Sequence, residues 1–564
     1  MRVWFIALMV FGVCLAAIGP WGNYPLNDDW MYARAAKSFS DSGSLRVDLP
    51  FAPALIGQML MAYPVIHFLG MNHAFLRVLT WAMAAVSLFC IDRLLMLGGV
   101  TWQRRLLSLI VLILNPLFLY SANSFMTEFY GFAPALVAAV VYFEGRRKGP
   151  PSIACWIAVA ALALFSFWTR QFSATVFPAL VLTSLLATLP SRRWLPLALA
   201  CGVFAAGVGL YVWWMRQPRK YGFTLAEPLG RLFHINGVAW GAESGAAIVY
   251  LTGFFLPILV LMPRGRWRQY GAYAMGLIVL AGALATRSWL RSHAPSDFVF
   301  DGWIHRQFPY LTDIIFQTGI GPITLDDVFH QPDTARPQWN PQVWRLIQWV
   351  LLAATSLWGF VIWRIRDFRR SPAATSLSRE IGLFSVLWCA LSWIVTVQAY
   401  QLQVFDRYYF PLILCAAIFL PLLFQASGED SSPGFRWDHL PAGLCMVALG
   451  WFSVAGVHDY FRWNDARWDL ARFAFHEGVS PAHLAAGYEV NGWENFDNWE
   501  AQQGRMADNC RVNYDDFFCS EASYRIGMNG IPGYTEWKRE QPTYWLAAGP
   551  PLRLLRIAEA PAAR

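Results

Sequence analysis

The sequence predicts an all-α polytopic membrane protein with about 13 transmembrane helices, interfacial helices in the first outer loop and a small C-terminal extracytoplasmic α+β segment. Three observations support this fold class. Of the 564 residues, 56% are apolar and only 14% are charged, whereas a soluble domain has about 25% charged residues. Apolar runs recur along most of the chain, and short basic loops follow every second run. A charge at the bilayer centre costs several kcal/mol, which explains the low charge content.

The apolar runs define the predicted spans, because a helix needs about 20 apolar residues to cross a bilayer. They lie at residues 4–18, 76–97, 106–120, 129–143, 153–167, 174–189, 195–214, 246–262, 272–285, 346–363, 381–397, 409–424 and 440–457. The first run has the position of a signal peptide. We interpret it as an uncleaved anchor, because many further spans follow it.

Basic residues predict the orientation, since Lys and Arg are retained on the cytoplasmic side. With the N-terminus inside, the inner loops are short and carry Arg104, Arg105, Arg146, Arg147, Lys148, Arg192, Arg193, Arg264, Arg266, Arg268, Arg364, Arg366, Arg369 and Arg370. We therefore expect a multi-pass protein of the plasma (inner) membrane with its C-terminus extracytoplasmic. The net charge of +8 suits anionic membrane lipids and gives no reason to expect nucleic acid binding.

Three long segments fall on the outer side in this topology, at residues 20–75, 287–345 and 458–564. We predict a transmembrane domain at 1–457, which includes the first two segments, and an extracytoplasmic C-terminal segment at 458–564. Functional residues are often carried by loops on a rigid scaffold. The outer face is therefore the predicted working face.

The cysteines agree with this topology. Seven of the nine lie in or beside apolar runs, where they act as small apolar residues, and only Cys510 and Cys519 lie in the outer tail. An oxidising compartment permits a disulfide there. We favour a Cys510–Cys519 disulfide, with two free thiols as the alternative.

The first outer loop carries the adjacent carboxylates Asp28 and Asp29 just beyond the first span. The segment that follows has helical spacing, with Met31, Ala35 and Phe39 along one side. This pattern predicts a short interfacial helix with the acids near its N-terminus. An ordinary N-cap is the simplest alternative role for either Asp.

A second acid, Glu128, lies at the outer mouth between the third and fourth spans, among aromatic and apolar residues. Thr127 beside it could act as a helix cap. An ionisable group at the edge of the hydrocarbon is nevertheless a functional candidate.

These motifs resemble the GT-C superfamily of membrane glycosyltransferases, in particular protein O-mannosyltransferases and aminoarabinose transferases, which use polyprenyl-phosphate sugars. The run 28–33, Asp-Asp-Trp-Met-Tyr-Ala, is similar to the Asp-Glu-x-x-Tyr-Ala pattern of that family. Thr127-Glu128 resembles its second acidic site, and 406–411 resembles its late Asp-Arg-Tyr-x-x-Pro run. The resemblance covers residues 1–145 best. Residues 49–55 depart from it, because they lack the Lys that family members often carry there.

The resemblance implies a glycosyltransferase, a hexosyl- or pentosyltransferase, with its catalytic acids in outer loops. Asp28 would be the general base, assisted by Asp29 or Glu128. The donor would be a polyprenyl-phosphate sugar, and the acceptor an envelope lipid, glycan or protein. Tyr32 and Tyr408 of the same motifs would bind substrate.

Cations must then bind the donor phosphate, and the candidates are Arg407, Arg170 and Arg46. An Arg can bind phosphate through two hydrogen bonds. For Arg407, a salt bridge to Asp406 or a role as an interface anchor are equally good alternatives. The sequence shows no tight spacing of metal ligands. Binding of a divalent metal nevertheless stays an open possibility, because residues 287–345 contain several His and Asp.

Two other functional classes stay open, and the first of them, a transporter or flippase, explains the helices equally well. A membrane transporter or lipid flippase usually has ionisable groups in mid-membrane and often an inverted repeat. Neither is evident in this sequence. A structural envelope protein would not depend on Asp28.

Overall fold

A computed structural model describes residues 2–45, 55–188, 194–216, 235–261, 270–293, 314–316, 319–325, 327, 341–371, 374–400, 404–425, 439–502, 523–546 and 549–558. The predicted disulfide partners Cys510 and Cys519 lie outside these residues, so the bridge stays a prediction. The seven cysteines within them are all free thiols.

Helices dominate the described part of the chain. In chain order they are α1 (Arg2–Ile18), α2 (Asp29–Ser42), α3 (Ile56–Leu69), α4 (His73–Leu97), α5 (Trp102–Ile113), α6 (Pro116–Ala122), α7 (Thr127–Arg147), α8 (Ile153–Phe167), α9 (Val176–Thr188), α10 (Trp194–Met215), α11 (Gly237–Leu259), α12 (Tyr270–His293), α13 (Pro341–Ala354), α14 (Trp358–Arg370), α15 (Ser376–Tyr400), α16 (Phe410–Gln425), α17 (Leu440–His476) and α18 (Tyr488–Gln502). Short 3-10 turns at Gln171–Thr175 and Asp406–Tyr409 precede α9 and α16.

Seven stretches among the described residues are long and apolar enough to cross a membrane, or up to eight if the bent pair α5–α6 is one span. The seven are His73–Leu97, Trp194–Met215, Ala239–Leu259, Arg345–Arg370, Ser376–Tyr400, Asp406–Gln425 and Leu440–His476. The chain is therefore an integral, multi-pass membrane protein. Asp406–Gln425 is the most buried of the seven, so the 406–411 motif opens a helix at the centre of the bundle.

The count of 13 spans is not confirmed. Five further apolar helices, including α1 and α8, have only 10–17 residues, which is short for a span of about 20. The predicted run 129–143 forms α7, whose first turn contains Glu128 and whose last turn contains Arg146 and Arg147. Sequence hydropathy alone did not separate these helices from full spans.

The C-terminal segment contains the small α+β unit that the sequence predicts. The helix α17 has 37 residues and runs without a break from the last span into this unit. Four strands form one sheet in the order β3-β4-β6-β5, where β3 is Leu484–Ala485, β4 is Tyr524–Gly527, β5 is Tyr534–Glu540 and β6 is Leu552–Ile557. A separate two-stranded ladder pairs β1 (Ile315–Phe316) with β2 (Gly319–Ile320).

Side chains of remote segments hold the C-terminal unit in place. Asp459 of α17 accepts the backbone N–H groups of Trp545 and Leu546, each at 2.7 Å. Asp327 accepts those of Met528 and Asn529 at 2.8 and 3.0 Å. Buried N–H groups need such partners, so these carboxylates fix the sheet against the helix bundle.

Candidate active site

The first outer loop presents Asp28 at the start of α2. Asp28 occupies the N-cap position, but its side chain makes no capping hydrogen bond. Asn27 before it has a φ of 49°, the left-handed conformation that Asn tolerates better than most residues. The capping alternative for Asp28 is therefore not realised, and its carboxylate points to other groups.

The carboxylate of Asp28 contacts Arg407. The Arg407 Nη1 donates to Asp28 Oδ2 at 2.9 Å, and the Tyr488 hydroxyl donates to Asp28 Oδ1 at 3.2 Å. The Asp28 side chain is 18% exposed and the Arg407 side chain is 9% exposed. Asp28 is therefore the more accessible member of the pair.

Asp406 and Arg407 are neighbours in sequence but have different partners. The Asp406 carboxylate accepts the backbone N–H groups of Ile314 and Ile315, at 3.1 and 2.6 Å respectively. It thereby anchors the turn that precedes α16. The Arg407 guanidinium contacts the first outer loop, 379 residues earlier in the chain.

Asp29 faces inward. Its side chain is buried, and its Oδ2 accepts the backbone N–H of Phe125 at 2.7 Å. Burial raises the pKa of the Asp29 carboxyl well above its usual range, and the Phe125 N–H opposes this effect only in part. Asp29 therefore ties the first outer loop to the segment just before α7 and has little access to a substrate.

Glu128 forms a second acid–arginine pair. Its Oε1 lies 3.0 Å from Nη1 of Arg170, and its side chain is only 1% exposed. The same nitrogen of Arg170 donates to the Thr127 hydroxyl. Gly131 permits this approach, because a Cβ there would lie 2.8 Å from the Cβ of Arg170.

Two tyrosines connect the two pairs. The guanidinium carbons of Arg170 and Arg407 lie 5.5 and 5.6 Å from the centre of the Tyr408 ring, within the range of a cation–π contact. Burial raises the pKa of the Tyr32 phenol well above its usual range; the next causes are Asp28, which raises it, and Arg407, which lowers it. The two acid–arginine pairs thus meet at the Tyr408 ring.

The structure brings together most of the residues predicted from sequence, namely Asp28, Asp29, Tyr32, Glu128, Arg170, Arg407 and Tyr408. Arg46 lies outside the described residues. Tyr488 is the site residue that sequence reasoning missed, because it belongs to no motif and lies in the C-terminal segment. Among the described residues, no three His, Cys, Asp or Glu side chains lie close enough together to hold a metal ion.

Comparison with solved structures finds two proteins of similar architecture. One is ArnT from Cupriavidus metallidurans in the apo state, which is 11% identical, with 98% of each chain covered and a TM-score of 0.40. The same protein bound to undecaprenyl phosphate is 12% identical, with 99% of this chain and 98% of that chain covered and a TM-score of 0.39.

The other is the archaeal oligosaccharyltransferase AglB from Archaeoglobus fulgidus, in complex with an inhibitory peptide and a dolichol-phosphate. It is 12% identical, with 88% of this chain and 60% of that chain covered and a TM-score of 0.42. No family model matches the sequence, and no curated protein matches it.

Proposed function

We propose that this protein is a glycosyltransferase that moves a sugar from a polyprenyl-phosphate donor to an envelope lipid, glycan or protein. The contact between Asp28 and Arg407 is the main support. It joins the acidic motif of the first outer loop to the Asp-Arg-Tyr run in the turn before α16 at 2.9 Å. A carboxylate that can take a proton thus lies beside a cation that can bind phosphate.

In the proposed reaction, an acceptor hydroxyl oxygen forms a bond to the anomeric carbon of the donor sugar. The bond between that carbon and the phosphate oxygen breaks, and its electron pair leaves with the polyprenyl phosphate. The acceptor proton moves to the carboxylate of Asp28. A positioned general base of this kind contributes about 10²–10⁴-fold to a rate.

Arg407 is the proposed ligand of the donor phosphate. A guanidinium can donate to a carboxylate and a phosphate at the same time, because it has five N–H groups in a fixed fork. The contact with Asp28 uses Nη1. Arg170, which contacts the same Tyr408 ring as Arg407, is the proposed second cation.

The other predicted acids have supporting roles in this scheme. Glu128 balances the charge of Arg170 in a nearly inaccessible position and orients it toward the donor. Asp29 positions the segment just before α7 by accepting the backbone N–H of Phe125. Tyr32 and Tyr408 are the proposed substrate contacts. The Tyr408 ring contacts both arginines, and Tyr32 lies one turn after Asp28 in α2.

The proposal is tested with purified protein in lipid nanodiscs and a polyprenyl-phosphate sugar labelled in the sugar. We expect release of free polyprenyl phosphate and transfer of the label to an envelope extract. Mass spectrometry of envelope lipids and glycans from cells with and without the protein identifies the product. If no such donor is consumed and the protein instead moves a lipid between vesicle leaflets, the transporter interpretation replaces this one.

We also propose that the site faces away from the cytoplasm of a cell whose plasma (inner) membrane holds residues 1–457, with 458–564 outside. The basic inner loops support this orientation. An alkaline phosphatase fused after residue 564 is then expected to be active, and a fluorescent protein fused there to be dark. An inactive phosphatase together with a bright fluorescent fusion would reverse the topology.

A further inference from the structure

We infer that the C-terminal helix α18 completes the active site, with Tyr488 orienting the Asp28 carboxylate and the buried Glu489–Arg467 pair positioning the loop that carries it. This inference rests on the proposed function, because it treats Asp28 as the base. It extends the site into the extracytoplasmic C-terminal segment, which contains none of the sequence motifs.

Tyr488 and Arg407 contact different oxygens of the Asp28 carboxylate. The Tyr488 hydroxyl lies 3.2 Å from Asp28 Oδ1, while Arg407 donates to Asp28 Oδ2. Burial, and then the charge of Asp28, raise the pKa of the Tyr488 phenol well above its usual range. The phenol therefore stays neutral and acts as the donor. With both oxygens engaged, the carboxylate has one defined orientation.

Close packing of α18 on α2 supports the contact. The Trp30 ring meets the Tyr488 ring edge to face, with centroids 5.7 Å apart. A Cβ at Gly492 would lie 2.5 Å from the same indole, so glycine is required for this approach. Arg34 of α2 also donates to the backbone carbonyl of Trp493 at 3.0 Å.

The next residue of α18 holds the residue before Asp28. Glu489 Oε1 accepts the backbone N–H of Asn27 at 3.1 Å. Its Oε2 accepts from Arg467 at 2.8 Å and from Thr324 at 2.5 Å. Two consecutive residues of the loop, Asn27 and Asp28, are thus held by two consecutive residues of α18.

The Glu489–Arg467 pair is fully inaccessible, with both side chains 0% exposed. Such a pair adds little net stability over apolar residues of similar volume, because desolvation offsets the attraction between the charges. Here it has a geometric consequence. It joins α17, α18, residue 324 and the loop at Asn27, whose left-handed backbone needs outside support. The Glu489–Arg467 pair therefore helps to set the position of Asp28, the proposed base.

The first test is Tyr488→Phe in the full-length protein, with Tyr63→Phe on α3 as the matched control. Loss of a hydrogen bond to a charged group corresponds to about a tenfold or larger change in a rate or equilibrium constant. We expect kcat to fall by that factor, donor KM to stay unchanged, and the acidic limb of the pH–rate profile to move to higher pH. The limb moves up because the lost bond favours the charged form.

Among the described residues, the other charged or titratable groups that interact with Asp28 include Arg407, Asp29 and Tyr32. They are the same in Tyr488→Phe and in the wild type, so the shift reports the lost hydroxyl. A pH profile and kcat equal to those of the wild type would overturn the role of Tyr488.

The second test is the double variant Glu489→Leu/Arg467→Met, which replaces both buried charges by apolar side chains of similar volume and removes the oxygen that accepts the Asn27 N–H. We expect a melting temperature close to that of the wild type and a kcat lowered at least tenfold with donor KM unchanged. A wild-type kcat would show that the pair is only structural. If the double variant does not fold, Tyr488→Phe alone decides the inference.

The wild type and the control variant distinguish a failure of this inference from a failure of the proposed function. If wild type and Tyr63→Phe both consume the donor and Tyr488→Phe equals them, this inference fails while the proposed function stands. If wild type itself consumes no polyprenyl-phosphate sugar, the proposed function fails, and this inference with it.

Discussion

Replacement of Asp28 by Asn is expected to lower sugar transfer by about 10²–10⁴-fold, because the amide cannot accept the proton of the acceptor hydroxyl. The Asn oxygen can still accept from Arg407 or Tyr488, so the local contacts are largely preserved. The Asp28 side chain is also partly exposed, at 18%, so we expect little change in folding. Transfer from a labelled polyprenyl-phosphate sugar measures the rate, and thermal melting measures the fold.

Two variants of the same helix serve as controls for Asp28→Asn. Asp41 has an exposed side chain that pairs only with Lys37, one turn away, among the described contacts. Asp41→Asn should therefore leave the rate unchanged. Asp29→Asn keeps an oxygen for the Phe125 N–H, and burial already favours the neutral carboxyl, so its effect should be smaller than that of Asp28→Asn. A wild-type rate in both Asp28→Asn and Asp29→Asn would place the base elsewhere.

Replacement of Arg407 by Gln is expected to raise donor KM by about 10- to 100-fold. A hydrogen bond to a charged group contributes about 1.5–3 kcal/mol, and each 1.4 kcal/mol is a factor of ten. Arg407→Lys should be intermediate, since Lys keeps the charge but cannot bind phosphate through a planar fork. Steady-state kinetics against donor concentration measure the effect.

The control for Arg407 is Arg539→Gln on β5, where the side chain is half exposed and contacts Glu536 of the same strand. Its loss should change neither kcat nor KM, because isolated exposed ion pairs contribute little. An unchanged donor KM in Arg407→Gln would assign the phosphate to another cation, with Arg170 the next to test. Arg170→Gln would then be expected to show the larger rise.

The sequence by itself determined the membrane character of the chain and most of the candidate site. A bilayer excludes charge and satisfies no backbone hydrogen bonds, so apolar helices were the only spanning elements that this composition permitted. The acids Asp28 and Glu128 stood out because they lie at the ends of apolar runs. Arg407 stood out only through the motif resemblance, since its spacing alone did not separate a site from a salt bridge to Asp406.

The tertiary structure alone decided the partners. Asp28 and Asp29 are adjacent, yet one contacts Arg407 and the other the Phe125 backbone. Successive side chains at a helix start point about 100° apart, so the packing of neighbouring helices selects which of them reaches the site. The contact of Tyr488 could not be predicted from the sequence for the same reason. Tyr488 and Asp28 are 460 residues apart, and their contact depends on how α18 packs on α2. Local periodicity carries no information about such a contact.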